Sequence, residues 1–281
     1  MINSFKADWR KLRQRPAVWV LGGIMLTALL LFGYVIPWLQ LAFPSANFHP
    51  DPGTTLQQMK AALYPINFLK NSLTGVGIIG GILTLILGAL VAGGEFNWGT
   101  VKTVYTQRPG RLQTLAGQVG VVSVIAAIFA VAFYLVAAAA SLIIALSDGS
   151  TITWPAAIDV FKALGATWLI FESWSLFGIA LAYLFRQSAM AIGIGLAYVL
   201  AIEGILFRLL SGFNAGWLTT VEKFFLGQNA NALIQSFGHT VARGAATAPL
   251  ISAGQAVMVL ALYAIVFAAI ASVVVRTRDV T

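Results

Sequence analysis

Val119–Leu146 reads VGVVSVIAAIFAVAFYLVAAAASLIIAL and carries no charged residue from end to end. A helix needs about 20 predominantly apolar residues to cross the hydrocarbon of a bilayer, so this stretch is long enough to span and to tilt or project beyond it. Lipid offers no water to backbone N–H and C=O groups, so the segment must satisfy them internally as a helix. Five more apolar blocks surround it. Ala17–Leu39 and Leu73–Ala92 precede it, and Ala163–Leu184, Ala189–Phe207 and Ala253–Val275 follow. The expected fold is an all-α integral membrane protein, a single transmembrane domain over 1–281 with six spans.

Composition points the same way. Apolar residues make up 59% of the 281 positions and charged residues 9%, against about 25% charged in soluble domains. The chain has no cysteine, which excludes disulfides, thiolate metal sites, iron–sulfur clusters and cysteine nucleophiles. Its net charge is +8, but the cations flank apolar blocks and form no nucleic-acid patch, so no nucleic-acid partner is expected. The first apolar run is too long for a signal peptide and no small-residue cleavage site follows it, so it is expected to be retained as a span.

Six spans place both termini, the loop 93–118 and the turn at Arg186 on one side. That side holds eleven of the 17 basic residues. The cation-rich side is cytoplasmic by the positive-inside rule, so both ends are expected inside. Outside lie the segments 40–72, 147–162 and 208–252. In the last, Trp217, Leu218, Val221, Phe224 and Phe225 share a helical face. A Gly227-Gln228-Asn229 break separates them from Leu233, Ile234 and Phe237, so short helices on or dipping into the outer membrane face are expected.

Residues 1–15 form the first candidate element. Ile2, Phe5, Trp9 and Leu12 fall in one helical sector, with Lys6, Arg10 and Arg13 beside it. This is the pattern of an interfacial amphipathic helix, with Phe5 and Trp9 in the acyl boundary and Arg10 and Arg13 among lipid phosphates. Pro16 ends it. The loop 93–118, GGEFNWGTVKTVYTQRPGRLQTLAGQ, is the second. Trp98, Val101 and Tyr105 share a face that suits either a short docking helix or an interfacial linker whose arginines fix topology.

Glu172 and Glu203 are carboxylates at membrane depth, which cost several kcal/mol when exposed to lipid and so face a bundle interior. Glu172 reads equally as a substrate- or proton-contacting group on a possible substrate path or as a hydrogen-bonded helix contact. Glu203, one turn from the outer end of its span, reads better as a local contact than as part of that path. Gly77 and Gly81 make a GxxxG pair, extended by Ala89 and Gly93, that permits close helix approach, chiefly within the chain. The chain has no GxxxxGK[ST] phosphate loop, no HExxH and no GxSxG. An intrinsic enzymatic activity, a metal site and a resident cofactor are not expected.

The order of these parts resembles the permease subunits of bacterial type-2 ABC exporters. The likeness covers the whole chain as architecture: a basic amphipathic N-terminal helix, six spans and a long segment before the last. Its most specific stretch is Glu95–Gln118. There an acidic residue and an aromatic, Glu95-Phe96, close the second span. Gly99-Thr100, Lys102 and Arg111-Leu112 lead to the third. The resemblance implies a location in the bacterial inner membrane and a coupling helix within 93–118. Glu95, Trp98, Lys102, Tyr105, Arg108 and Arg111 would couple it to a separate nucleotide-binding ATPase subunit that carries the ATP and Mg. It also implies a second permease chain, identical or different, and export of an amphipathic or hydrophobic substrate along the interface of the second and fifth spans. Two other readings remain on the residues themselves. One is a proton-coupled secondary carrier with Glu172 as its titrating group, working without a partner. The other is a nontransporting membrane scaffold.

Overall fold

A computed structural model describes residues 2–44, 55–97, 99, 110–206, 209, 220–238 and 251–278. Among these residues all regular structure is helical, with no strand. The elements are α1 (Ile2–Gln14), α2 (Pro16–Ala42), α3 (Leu56–Ala61), α4 (Phe68–Gly75), α5 (Gly81–Asn97), α6 (Arg111–Ser147), α7 (Ala157–Phe185), α8 (Ser188–Ala197), α9 (Leu226–Gln235) and α10 (Ala253–Thr277). Wide π-type turns continue three of them. They lie within α2 at Leu29–Val35, between α4 and α5 at Val76–Gly80, and after α8 at Tyr198–Leu206.

Five helices are long and apolar enough to cross a membrane: Pro16–Ala42, Arg111–Ser147, Ala157–Phe185, Ser188–Ile205 and Ala253–Thr277. The chain is thus a multi-pass membrane protein by the length and composition of its helices. The segment read as the second span, 73–92, runs helical through the end of α4, the wide turn at Val76–Gly80 and α5, whose apolar stretch Gly81–Phe96 is shorter than the other five.

Several boundaries move for local reasons. α6 starts at Arg111, so residues 111–118, assigned above to the coupling loop, form its first turns. Extended Gly110 starts the helix, and Thr114, Leu115, Gly117 and Gln118 are buried by neighbours. α7 starts at Ala157, six residues before the predicted span. Asp159 in its first turn complements the positive helix N-terminus, and Asp159 and Lys162 hide that turn from a hydropathy reading. The break expected at 227–229 falls instead before Leu226, where Phe225 is extended. The Gly227 N–H, in the first turn of α9, donates to Glu203 Oε1 at 2.9 Å, so a carboxylate from the preceding span caps the helix. α9 is no surface helix: Leu226, Asn229, Ala230, Leu233 and Ile234 are buried.

α7 is the centre of the bundle, with 72% of its apolar window buried, against 17% for α10 and 22% for Ser188–Ile205. Its most extensive neighbour is α5, and the two meet backbone to backbone. A Cβ at Gly88 would lie 1.9 Å from the Ser175 carbonyl oxygen, and one at Gly178 would lie 2.1 Å from that of Leu85. Nearby, Phe171 packs over Gly80 and Trp174 over Gly81, both rings fully buried. Gly77 faces Asn231 and Gly93 faces Ser188. The small residues singled out in the sequence therefore serve packing within the chain. α7 ends at Arg186, the one described non-glycine residue with positive φ (53°), and this left-handed cap turns the chain directly into α8.

A polar junction at one end of the helix bundle

The apolar sector of α1 packs against the helix bundle. Leu12 and Ser4 are buried, and Phe5 and Trp9 are half-buried, stacked at 6.4 Å. The helix packs along the start of α6, where Gly117 and Gly120 leave a shallow face. A Cβ at Gly117 would meet Asp8 Oδ2 at 2.8 Å and Ser4 Cβ at 2.9 Å, and one at Gly120 would meet Phe5 at 3.3 Å. On the opposite face Lys6, Arg10 and Arg13 are exposed. The Trp19 indole N–H donates to the Arg13 carbonyl at 2.8 Å and ties α1 to α2.

Asp8, Lys11 and Arg15 follow one another at helical spacing on the face turned toward α5. Lys11 Nζ donates to Glu95 Oε1 in an ion pair, the only one among the described residues. Glu95 is 9% exposed in its side chain and Lys11 39%, so the pair is partly screened. Arg15 Nη1 reaches the Leu90 carbonyl at 3.4 Å and lies against Gly94, where a Cβ would come within 2.7 Å. Beside this cluster the Tyr183 hydroxyl donates to Gln118 Oε1 at 2.7 Å, and the Phe96 ring meets Tyr183 edge-on at 5.7 Å. Arg111 Nη1 donates to the Arg278 carbonyl at 3.3 Å, while Arg278 Nη1 donates to the Leu184 carbonyl at 2.8 Å. One polar layer thus joins α1, α5, α6, α7 and α10 at one end of the bundle.

Burial pushes the Asp8 carboxyl up from its ordinary 3.8 to about 6; Lys11 opposes the shift, Glu95 adds to it and Arg15 opposes it. The folded chain holds this proton more tightly than the unfolded chain between about pH 4 and 6, so stability falls as pH rises through that window. Asp8→Asn is therefore expected to raise the thermal unfolding temperature in detergent more at about pH 7.5 than at about pH 4.5. An equal change at both pH values would remove Asp8 from the account.

Of the predicted coupling residues, Glu95 and Arg111 stand at the two ends of the loop, each held by the polar layer. Trp98, Lys102, Tyr105 and Arg108 lie outside the described residues. Glu172 and Glu203 do not form one site. Glu203 caps α9, whereas Glu172 is buried beside Ser123 of α6, with its Oε2 lacking a hydrogen-bond partner. Among the described residues no group of three or more His, Asp or Glu side chains is arranged to hold a metal. Reading the residues one by one missed Lys11 as the partner of Glu95, because Lys11 stood out only as one of five basic residues in 1–15. The Gln118–Tyr183 bond had no signal in the sequence, because it joins residues far apart in the chain.

Comparison with models of protein families matches none, and comparison with curated proteins finds no relative.

Proposed function

We propose that the chain is the permease subunit of a type-2 ABC exporter in a bacterial inner membrane, with six spans and both ends in the cytoplasm. The segment 73–92 supplies the sixth span as α4, the wide turn and α5 in series. A separate ATPase subunit carries ATP and Mg, and a second permease chain completes the transporter. The exposed apolar faces of Ser188–Ile205 and α10 meet lipid or that second chain.

The polar junction carries this reading. Glu95 and Arg111 bracket the loop, and both are tied to neighbouring helices. A push delivered to the loop by an ATPase reaches α5 and α6 directly, and α1 through the Lys11–Glu95 pair and the contacts at Gly117 and Gly120. Packed helices move as rigid bodies, so such a joint turns a small displacement into rocking of the spans. The substrate is amphipathic or hydrophobic, because a path between such apolar helices offers few partners to a multiply charged solute. Gentle purification of the tagged chain from its native host is expected to bring down a stoichiometric ATPase; a folded chain that brings none counts against the proposal.

The buried, unpartnered Oε2 of Glu172 favours one second reading, a proton-coupled carrier. Transport by the chain reconstituted alone, driven by a pH gradient and lost in Glu172→Gln, is the outcome belonging to that reading.

A further inference from the structure

At the end of the bundle opposite the polar junction, a cavity of about 580 Å³ opens between α4, α7, α9 and α10. This size lies within the range of about 300–1,000 Å³ usual for ligand pockets. Its walls are apolar, with Leu69 and Leu233 buried and Leu169, Phe237 and Val257 beside them. Three charged side chains line it as well: Lys70, Asp159 and Lys162. Neither lysine has a carboxylate within ion-pairing distance among the described residues. Lys70 is seated by Gly238, whose φ of 96° admits no ordinary side chain, and a Cβ there would lie 3.0 Å from Lys70 Cε.

We propose that this cavity binds a membrane lipid with a singly charged anionic phosphodiester headgroup, its phosphate between Lys70 and Lys162 and part of one acyl chain along Leu169, Leu233 and Val257. Two ammonium groups and one carboxylate leave the site with a single net positive charge, which matches one phosphodiester. The level in the membrane also fits. α7 has 29 residues, about 43 Å at 1.5 Å per residue, against about 30 Å of hydrocarbon. Its first turns, with Asp159 and Lys162, therefore stand at the headgroups. Leu169 lies two turns deeper. The cavity is too small for a whole lipid, so the rest of the molecule stays in the bilayer. Such a site requires only that these helices lie in a membrane, whether or not the chain transports anything.

The test is lipid retention by the full chain, delipidated in detergent and titrated with phosphatidylglycerol, phosphatidylethanolamine or phosphatidylcholine under native mass spectrometry. Phosphatidylglycerol is expected to bind at least tenfold more tightly than the other two. Basic residues at a membrane surface contribute about 1 kcal/mol each, about fivefold in affinity. Lys70→Gln with Lys162→Gln should therefore weaken phosphatidylglycerol binding by about tenfold or more and abolish the preference. Lys70→Arg with Lys162→Arg should keep it, which separates loss of charge from loss of fold. A Cβ at Gly165, on the cavity wall, meets nothing within 4 Å, so Gly165→Phe is expected to fold and to lose the lipid. Equal binding of the three lipids, a preference for phosphatidylethanolamine, or phosphatidylglycerol binding unchanged in the glutamine pair and in Gly165→Phe would each overturn the proposal.

Discussion

Gly88→Ala and Gly178→Ala are each expected to abolish most of the folded protein. Real Cβ contacts are essentially never closer than 3.0 Å, yet a methyl at Gly88 would sit 1.9 Å from the Ser175 carbonyl oxygen and one at Gly178 would sit 2.1 Å from that of Leu85. Both obstacles are backbone, so no rotamer change relieves them. α5 and α7 would have to separate by more than an ångström. That movement would lift Phe171 off Gly80 and Trp174 off Gly81, and so open voids beside two of the largest buried rings. Over-packing of a core commonly costs about 1–3 kcal/mol. A clash of backbone on backbone, followed by loss of packing around the most buried helix, belongs at or above the top of that range. The yield of monodisperse protein and its unfolding temperature in detergent measure the effect. Gly23→Ala is the control, since a Cβ there meets nothing within 4 Å. If Gly88→Ala melts with the wild type, the backbone contact between α5 and α7 is wrong.

Charge reversal at Glu95 is the second large effect. Glu95→Lys would place an ammonium against Lys11 and near Arg15, replacing an attraction by repulsion in a partly buried cluster. Breaking a fully buried pair costs about 3–5 kcal/mol, and partial exposure of Lys11 reduces that figure. α1 is expected to lift from α5, so that its amide protons exchange about tenfold faster or more while those of α7 are unchanged. Under the transport proposal, ATP hydrolysis by the partner would continue while export falls. Lys11→Glu added to Glu95→Lys should reverse both changes in part. The reversal is incomplete because Asp8, one turn from position 11, then faces a like charge. Unchanged exchange of α1 in Glu95→Lys would show that the ion pair does not hold the helix.

Five of the six expected spans were legible because hydropathy records the solvent that each helix meets, and Val119–Leu146 or Ala253–Val275 need nothing else. Helix ends were not, because a first turn at the membrane surface carries polar residues that lower the local hydropathy. Asp159 and Lys162 conceal six residues of α7 in this way. The turn at Val76–Gly80 had a visible cause in Gly77, Gly80 and Gly81, but their partners Asn231, Phe171 and Trp174 are distant in the chain. Glu203 shows the same limit. Its role as a cap depends on where Gly227 arrives, which local spacing does not specify. At the polar junction, Glu95 and Arg111 were visible as the ends of a loop. Lys11 was visible only as part of a basic cluster, and its selection over Arg10 or Arg13 follows from the packing of α1 on Gly117 and Gly120.

The proposed coupling is tested most directly by photo-cross-linking from Trp98 or Tyr105. Either position, replaced by a photoreactive phenylalanine analogue and irradiated in native membranes, is predicted to yield a discrete adduct with a nucleotide-binding ATPase. The adduct should be lost when Arg111 is reversed to Glu. Adducts with lipid or with this chain only, in membranes where the protein is folded and abundant, would contradict an ATPase docked on this loop.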